Sequence, residues 1–179
     1  SAKIKPSTLG SSGTIFSAFA DKNVKIFRDA RGHWASDEID AYVRRGIISG
    51  YADGTFKPDN NITRAEFLTL LSRVYNWNTS YSTGSTIPFK DANTFGSYAR
   101  VINYATSQKY IYGYDDGTFK PNNPISYNEV ETIMRRILPY WNFSWANIAN
   151  AMRYEKKVLS DSLNNMNNKI TRAEVVYML

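Results

Sequence analysis

Two arginines stand at the start of an expected helix, within the same four-residue motif. Arg64 lies in Thr-Arg-Ala-Glu at 63–66, and Arg172 lies in the identical motif at 171–174. A cation at a helix start is disfavoured by roughly 0.3–1 kcal/mol, because the helix dipole is positive there. An anion would offset this cost, since helix-start amides and an arginine fork both bind carboxylates and phosphates. The motif therefore predicts an anion site. The alternative is that each arginine pairs with a carboxylate of a neighbouring part of the chain.

The threonine and glutamate of this motif have a structural explanation. In a capping box, a Thr or Ser hydroxyl and a Glu carboxylate satisfy the unpaired amides at a helix start. The pattern occurs three times in the chain, as Thr63/Glu66, Ser126/Glu129 and Thr171/Glu174. Apolar residues at helical spacing follow the first two pairs, which predicts amphipathic helices there. In the second motif Tyr127 replaces the arginine, so its site is expected to be weakened, altered or unused.

These motifs belong to an internal repeat. The nine residues at 50–58 return at 113–121 with eight identical positions. A third copy is eroded: Trp34-Ala35 returns as Trp145-Ala146, but the Asp-Gly turn is missing and Asp161 replaces the glycine of the other copies. Gly50 and Gly113 themselves are either turn residues or points where a ligand approaches the backbone.

Each copy has the pattern of a helix, a loop and a second helix, which predicts a mainly α fold. One copy of about 50 residues buries too little apolar surface to be stable alone. We therefore expect the three copies to meet on a common axis with pseudo-threefold symmetry, with grooves between them. The predicted divisions are a leader at 1–26, repeat 1 at 27–77, repeat 2 at 87–138 and a degenerate repeat 3 at 139–179.

Charge and composition limit the classes of binding partner and cofactor that the chain can have. The net charge of +6 favours an anionic partner, either nucleic acid, an anionic membrane surface or an acidic glycan. The positive charge is scattered and no nucleic-acid motif occurs, so nucleic acid is not expected. No apolar run reaches the roughly 20 residues of a membrane span. Without cysteine and with a single histidine, His33, the chain cannot form a thiolate or multi-histidine metal site, and no metal or cofactor is expected.

Several motifs together resemble the S-layer homology (SLH) repeat in order and spacing. They are Phe27-x-Asp29, His33-Trp34-Ala35, Gly46-Ile47-Ile48-x-Gly50, Gly54-Thr55-Phe56-x-Pro58 and Thr63-Arg64-Ala65-Glu66. The resemblance covers about residues 27–179 and is very specific in the first copy, strong in the second and partial in the third. It implies three repeats around a central three-helix bundle with three outer prongs.

The resemblance also implies a function, a location and a set of ligand residues. Proteins of this family bind peptidoglycan-linked secondary cell-wall polymers, often through pyruvylated N-acetylmannosamine, and so anchor exported proteins at the cell wall or S-layer. Arginines would hold the ligand carboxylate, glycines would allow close backbone approach, aspartates would accept sugar hydroxyl hydrogen bonds, and tryptophans would pack on a sugar ring. The residues in those four roles are Arg64 and Arg172, Gly50 and Gly113, Asp29 and Asp91, and Trp34 and Trp145. One or two working grooves are expected.

Two other functions compete with this one. The grooves would instead dock protein subunits if the chain were a self-assembly module, with S-layer subunits as partners. A catalytic domain acting on wall glycans is disfavoured, because no pair of carboxylates recurs in all copies as glycoside hydrolysis requires. The chain is therefore expected not to be an enzyme.

Overall fold

The computed structural model describes residues 27–81 and 89–179, so the predicted leader at 1–26 lies outside the described residues. The α-helices of the described part are α1 (Ser36–Arg44), α2 (Arg64–Val74), α3 (Ala99–Ser107), α4 (Tyr127–Ile137), α5 (Trp145–Lys156) and α6 (Arg172–Met178). Short 3₁₀ turns occur at Thr79–Tyr81, Ala92–Thr94, Gly96–Tyr98 and Asp161–Asn164. Within these two ranges only isolated β-bridges are found and no strands, which confirms the mainly α class.

Each copy contributes a pair of helices, and each pair packs against the pair of another copy. Helix α2 packs on α3 and α4 packs on α5, so the second helix of one copy meets the first helix of the next. Helix α6 packs on α1, which brings the last copy against the first. The three copies therefore share their interfaces, and the apolar stripe of each capped helix is covered by a neighbour.

A closed ring of backbone hydrogen bonds joins the three loops that precede α2, α4 and α6. The Ile62 amide donates to the Ile170 carbonyl at 3.2 Å, the Ile170 amide to the Ile125 carbonyl at 3.0 Å, and the Ile125 amide to the Ile62 carbonyl at 3.1 Å. All three isoleucine side chains are buried. The ring holds three helix starts close together, although their motifs lie far apart in the chain.

The capping boxes form completely in two copies and only by half in the first. The Ser126 and Thr171 hydroxyls accept hydrogen bonds from the backbone amides of Glu129 and Glu174. The carboxylates of these two glutamates in turn accept hydrogen bonds from the backbone amides of Ser126 and Thr171. Thr63 accepts the Glu66 amide at 3.1 Å, but no return bond from the Glu66 carboxylate is formed. The prediction of three complete boxes is therefore wrong for the first copy, and Glu66 keeps its carboxylate for other contacts.

The helix starts do not present free amides. The first amide of α2, on Arg64, donates to the Asn123 carbonyl at 2.9 Å, and that of α6, on Arg172, donates to the Asn60 carbonyl at 2.9 Å. The next amide of each helix also donates to a loop carbonyl of a neighbouring copy. The prediction that backbone amides at these helix starts would bind an anion is wrong, because the neighbouring copy already uses them. Any anion must instead be held by side chains.

Candidate ligand-binding grooves

Arg64 is buried between the first and second copies, with 3% of its surface exposed. Its Nε donates to the Phe119 carbonyl at 3.0 Å and its Nη2 donates to the Tyr112 carbonyl at 3.2 Å. The guanidinium lies over the rings of Tyr114 and Phe119, 4.7 and 4.6 Å from the ring centres. Its remaining nitrogen, Nη1, forms an ion pair with Glu129 of the second copy. Arg64 therefore pairs with a carboxylate of another copy, which is the alternative that the sequence analysis left open.

Arg172 is buried in the equivalent way between the third and first copies, with 6% of its surface exposed. Its Nε donates to the Phe56 carbonyl at 2.9 Å and its Nη2 donates to the Ser49 carbonyl at 2.7 Å. The guanidinium lies over the rings of Tyr51 and Phe56, at 5.0 and 4.4 Å. Each of these partners stands 63 residues before the matching partner of Arg64. The two sites are thus built on the same plan.

The two arginines differ at Nη1. The counterpart of Glu129 in the first copy is Glu66, and no ion pair or hydrogen bond joins it to Arg172 among the described residues. Burial lowers the pKa of Arg172, and the negative charge of Glu66 is among the effects that oppose this shift. Arginine remains charged at neutral pH despite such shifts. Arg172 is therefore a buried cation whose Nη1, an NH₂ group, has no partner among the described residues.

Arg172 lines a groove of about 690 Å³. The groove is also lined by the segment Ile48–Tyr51, by residues of α2, and by Ser97, Tyr98, Arg100 and Val101 around the start of α3. The lining includes three guanidiniums, those of Arg73, Arg100 and Arg172, and a single carboxylate, that of Glu66. A volume of this size is within the range of small-molecule sites. The excess of positive charge makes the groove suited to an anionic ligand.

A smaller groove of about 350 Å³ lies beside the junction of the second and third copies. There Tyr127 replaces the arginine, and its hydroxyl lies 3.0 and 2.8 Å from the two carboxylate oxygens of Glu174. Burial and the nearby Glu174 charge raise the pKa of Tyr127, so it stays a neutral donor at neutral pH. Position 127 therefore offers this groove no cation with which to bind an anion.

Trp145 fills the space that this replacement creates. Its indole stacks on Tyr127 with ring centres 4.2 Å apart, and its Nε1 donates to the Leu163 carbonyl at 3.0 Å. Trp145 has no exposed surface and is the first residue of α5, whereas Trp34 lies two residues before the first residue of α1, so the two tryptophans do not occupy the same helix position. The prediction that Trp145 packs on a sugar ring is wrong, because its ring is enclosed in the core. Trp34 is partly exposed, lines the smaller groove and packs edge-on against Tyr177.

The predicted aspartate ligands bind their own repeat. The two carboxylate oxygens of Asp29 accept the amides of Phe56 and Lys57 at 2.8 and 2.9 Å. Asp91 accepts the equivalent amides of the second copy at 2.9 and 2.8 Å. Burial by itself would raise the pKa of Asp29, but these two hydrogen bonds outweigh it and the pKa is lowered. Lys57 has a left-handed backbone with φ of 57°, which is costly for a residue other than glycine, and the carboxylate helps to hold it. Both aspartates therefore fix the loop of their own copy, and their contact with a sugar hydroxyl stays a prediction.

The two glycines each lie against an aromatic ring of their own copy. A Cβ at Gly50 would overlap the ring of Phe27 and lie 2.8 Å from the Thr55 carbonyl oxygen. A Cβ at Gly113 would likewise overlap the ring of Phe89. Neither glycine has a positive φ, so the space beside the ring requires glycine and the backbone conformation does not. Gly50 still lies in the wall of the larger groove.

Sequence reasoning missed two basic groove residues, Arg73 and Arg100. Arg73 stands seven residues after Glu66, a spacing that places both on one helix face, so the signal was present. Arg100 belongs to the second copy and carries no signal of its own, because only the packing of α3 on α2 brings it to the groove.

Comparison with known families agrees with this geometry. The sequence model of the S-layer homology domain matches residues 26–68 and 88–130, which are the first and second copies. Two stretches of the chain are therefore similar to the SLH repeat. The third copy lies beyond both matches, although it has the same capped helix and closes the same ring of hydrogen bonds.

Relatives of known name include large surface proteins and an enzyme. Cell surface glycoprotein 1 of Acetivibrio thermocellus is 38% identical over 94 residues, which is 52% of this chain and 4% of that protein. The cellulosome-anchoring protein of the same organism is 38% identical over 93 residues, 51% of this chain and 21% of that protein. The amylopullulanase of Thermoanaerobacterium thermosulfurigenes is 30% identical over 164 residues, 87% of this chain and 9% of that protein. The chain spans only a small part of the length of these relatives.

Residues 27–81 and 89–179 contain no candidate membrane span and no candidate metal site. None of the helices in these ranges is long and apolar enough to cross a bilayer. The same ranges contain no group of three or more histidine, aspartate or glutamate side chains placed to hold a metal ion.

Proposed function

We propose that the chain anchors an exported protein non-covalently to the bacterial cell wall, by binding a pyruvylated, peptidoglycan-linked polysaccharide in the groove at Arg172. The two stretches similar to the SLH repeat and the relatives named as cell-surface and cellulosome-anchoring proteins support the anchoring role. The protein acts outside the cell in this proposal, and the chain serves as a binding module without catalysis of its own. The third copy is a degenerate SLH repeat, and the three copies are related by pseudo-threefold symmetry, which the cyclic hydrogen bonds at Ile62, Ile125 and Ile170 support.

The observation that carries the proposal is the state of Arg172. Its guanidinium is fixed by two backbone carbonyls and by the rings beneath it, so little side-chain freedom is lost when a ligand binds. Its Nη1 remains available, and a hydrogen bond from a charged donor to a carboxylate is stronger than a neutral one. Pyruvate joined as a ketal displays one carboxylate of this kind. Arg64 lacks an available Nη1, so the proposal places one ketal site in each chain.

Calorimetric titration of the purified chain tests this proposal. The ligands are a pyruvylated N-acetylmannosamine glycoside and the same sugar without the ketal. Binding of the pyruvylated sugar alone, with one site per chain, is the expected result. Equal binding of the two sugars, or none of either, would contradict the carboxylate–arginine mechanism.

Two variants assign the site within the molecule. Arg172→Gln removes the charge beside the groove and is expected to weaken ketal-dependent binding by about tenfold or more. Arg64→Gln is the matched control, because it removes the same contacts from the junction where Glu129 occupies Nη1. Circular dichroism of each variant checks that it is folded. If only the Arg64 variant lost binding, the ketal site would lie at the Arg64 junction and the assignment to Arg172 would be wrong.

A self-assembly module is the second candidate function. Tyr140 and Trp141, adjacent in the loop between α4 and α5, are 96% and 79% exposed. Exposed aromatic rings are common at protein–protein contacts. Light scattering with and without wall polymer distinguishes the two functions. Oligomers that form without polymer and are lost in Trp141→Ser would favour assembly, whereas a monomer under all conditions would exclude it.

A further inference from the structure

The larger groove continues well beyond Arg172 along helix α2. Glu66, Thr69, Leu70 and Arg73 all line it, and their spacing places them on one face of the helix. At 1.5 Å per residue, the distance along the axis from Glu66 to Arg73 is about 10 Å. A group held by Arg172 at one end therefore leaves the other end of the groove for a different part of the same ligand.

Two guanidiniums from different copies form that other end. Arg73, on α2, donates from Nη1 to the Ile47 carbonyl at 2.8 Å, which fixes one edge of its guanidinium. Arg100, at the start of α3, reaches the same groove from the second copy. Both side chains are exposed, so a ligand can reach them from solvent. The only carboxylate in the groove lining, that of Glu66, lies two helical turns away from Arg73.

The second copy shows what an arginine at this helix position does without such a groove. Arg136 stands 63 residues after Arg73 and donates in the same way from Nη1, to the Tyr110 carbonyl at 3.2 Å. Its guanidinium lies over the ring of Tyr112, 4.4 Å from the ring centre, and it lines neither groove. The backbone hydrogen bond is thus a shared structural feature, whereas the approach of Arg73 and Arg100 to one cavity is particular to the junction of α2 and α3.

We propose that Arg73 and Arg100 form a second anion subsite, which binds an acidic group on the sugar next to the ketal-bearing one. The inference rests on the proposed function, since it takes Arg172 as the site of the first carboxylate. It makes the ligand a chain with two acidic groups separated by about two helical turns, rather than a single terminal sugar. The acidic group is either a uronic carboxylate or a phosphate, because a guanidinium binds both.

Titration with three disaccharides tests the subsite. In each the terminal residue is pyruvylated N-acetylmannosamine, and the neighbouring residue is glucose, glucuronic acid or glucose 6-phosphate. We expect each acidic disaccharide to bind about fivefold more tightly than the neutral one, as for an exposed charge pair. The more tightly bound of the two identifies the acidic group, and the preference should fall as salt is raised.

Variants assign the preference to its residues. Arg73→Gln and Arg100→Gln should each bring the ratio of acidic to neutral affinity towards one, with a smaller effect on affinity for the pyruvylated monosaccharide, whose carboxylate is held by Arg172. Arg136→Gln loses the same kind of backbone hydrogen bond as Arg73→Gln and should keep the full ratio. Arg100→Gln changes an exposed side chain and keeps the test usable if Arg73→Gln does not fold.

The outcomes that would overturn the second subsite differ from those that would overturn the proposed function. A ratio near one in the unmodified chain, or a ratio retained in both groove variants, would overturn the subsite and leave monosaccharide binding as evidence for the proposed function. Failure of the pyruvylated monosaccharide to bind would instead contradict the proposed function. Absence of binding by all three disaccharides would overturn both.

Discussion

The junctions at Arg64 and Arg172 begin from the same motif and end with different chemistry. Both guanidiniums donate to two carbonyls of a neighbouring copy and lie over a tyrosine and a phenylalanine ring. At Arg64 the third nitrogen is neutralised by Glu129, whereas at Arg172 no such ion pair forms with residues 27–81 or 89–179, and a groove of about 690 Å³ lies alongside. A repeated motif therefore supplies the same cation twice, and the neighbouring glutamate decides whether that cation is structural or available.

The third junction shows how the arrangement survives without an arginine. Tyr127 donates to Glu174, and Trp145 donates to a loop carbonyl in the manner of the arginine Nε. The aromatic partner comes from a helix instead of from the loop, since the third copy lacks the Asp-Gly turn and its phenylalanine. Two coupled changes thus preserve packing at this junction while removing the cation.

The largest expected effect is at this third junction. Trp145→Ala should lower the free energy of unfolding by about 4 kcal/mol, because the substitution leaves a large cavity and an unpaired Leu163 carbonyl. Chemical denaturation followed by circular dichroism measures the loss. Trp34→Ala, at the homologous tryptophan predicted from sequence, should cost clearly less because its ring is partly exposed. Equal losses for the two variants would show that Trp145 does not hold this junction.

The next largest effect is a difference in unfolding free energy between variants of the two arginines. Arg64→Gln should lower the free energy of unfolding by about 3 kcal/mol, because Glu129 is left partly buried without its partner. Arg172→Gln should cost about 1–2 kcal/mol, since it removes hydrogen bonds to carbonyls but no ion pair. Denaturant midpoints of both variants give the comparison. If Arg172→Gln were the more destabilising, the ion pair would not be the difference between the junctions.

A change at the glutamate should convert one junction into the other. Glu129→Ala frees Nη1 of Arg64, so the number of ketal sites per chain should rise from one towards two. Calorimetric stoichiometry with the pyruvylated monosaccharide reports this number. Glu66→Ala is the matched control, because Arg172 has no ion pair to lose, and the number should stay at one. An unchanged count in a folded Glu129 variant would mean that the carboxylate is not what closes this site.

The smallest effect concerns the loop that supports Arg172. The folded-state pKa of Asp29 is lowered below its usual value of 3.8 by the Phe56 and Lys57 amides, against the effect of burial. A lowered acid pKa gives stability that is fully present above the usual value and is lost as pH falls through the folded value. Asp29→Asn should therefore show a smaller drop in stability below about pH 4 than the unmodified chain. Parallel pH profiles of the melting temperature would contradict this role.

Much of the fold could be predicted from short-range patterns. The hydroxyl caps at Thr63, Ser126 and Thr171 follow from hydrogen bonds that span three residues, and the structure forms all three. The loop repeated at 50–58 and 113–121 likewise has the same internal bonds in both copies, such as Asp53 and Asp116 accepting from Thr55 and Thr118. Such contacts depend on neighbours in the chain, so a sequence pattern is enough to identify them.

The candidate site could be predicted only in part. The motif pointed to both arginines as ligand residues, but nothing near Arg64 in the chain shows that Glu129, 65 residues later, neutralises it. The aspartates and glycines were assigned to a ligand from the family resemblance, and no local pattern shows their structural partners, backbone amides and phenylalanine rings that lie 23 to 29 residues away. Residue type alone did not distinguish the enclosed ring of Trp145 from the partly exposed ring of Trp34, because their exposure depends on the segments packed around them.

The sequence by itself determined the helix caps, the loop shared by the first two copies, and the arginine at the start of two capped helices. Only the tertiary structure decided that the helix-start amides are already used, that Arg64 is paired, and that Arg73 and Arg100 meet Arg172 in one groove. The physical reason is range. Caps and turns are closed by atoms a few residues apart, whereas the availability of a charge depends on every chain segment that packs around it.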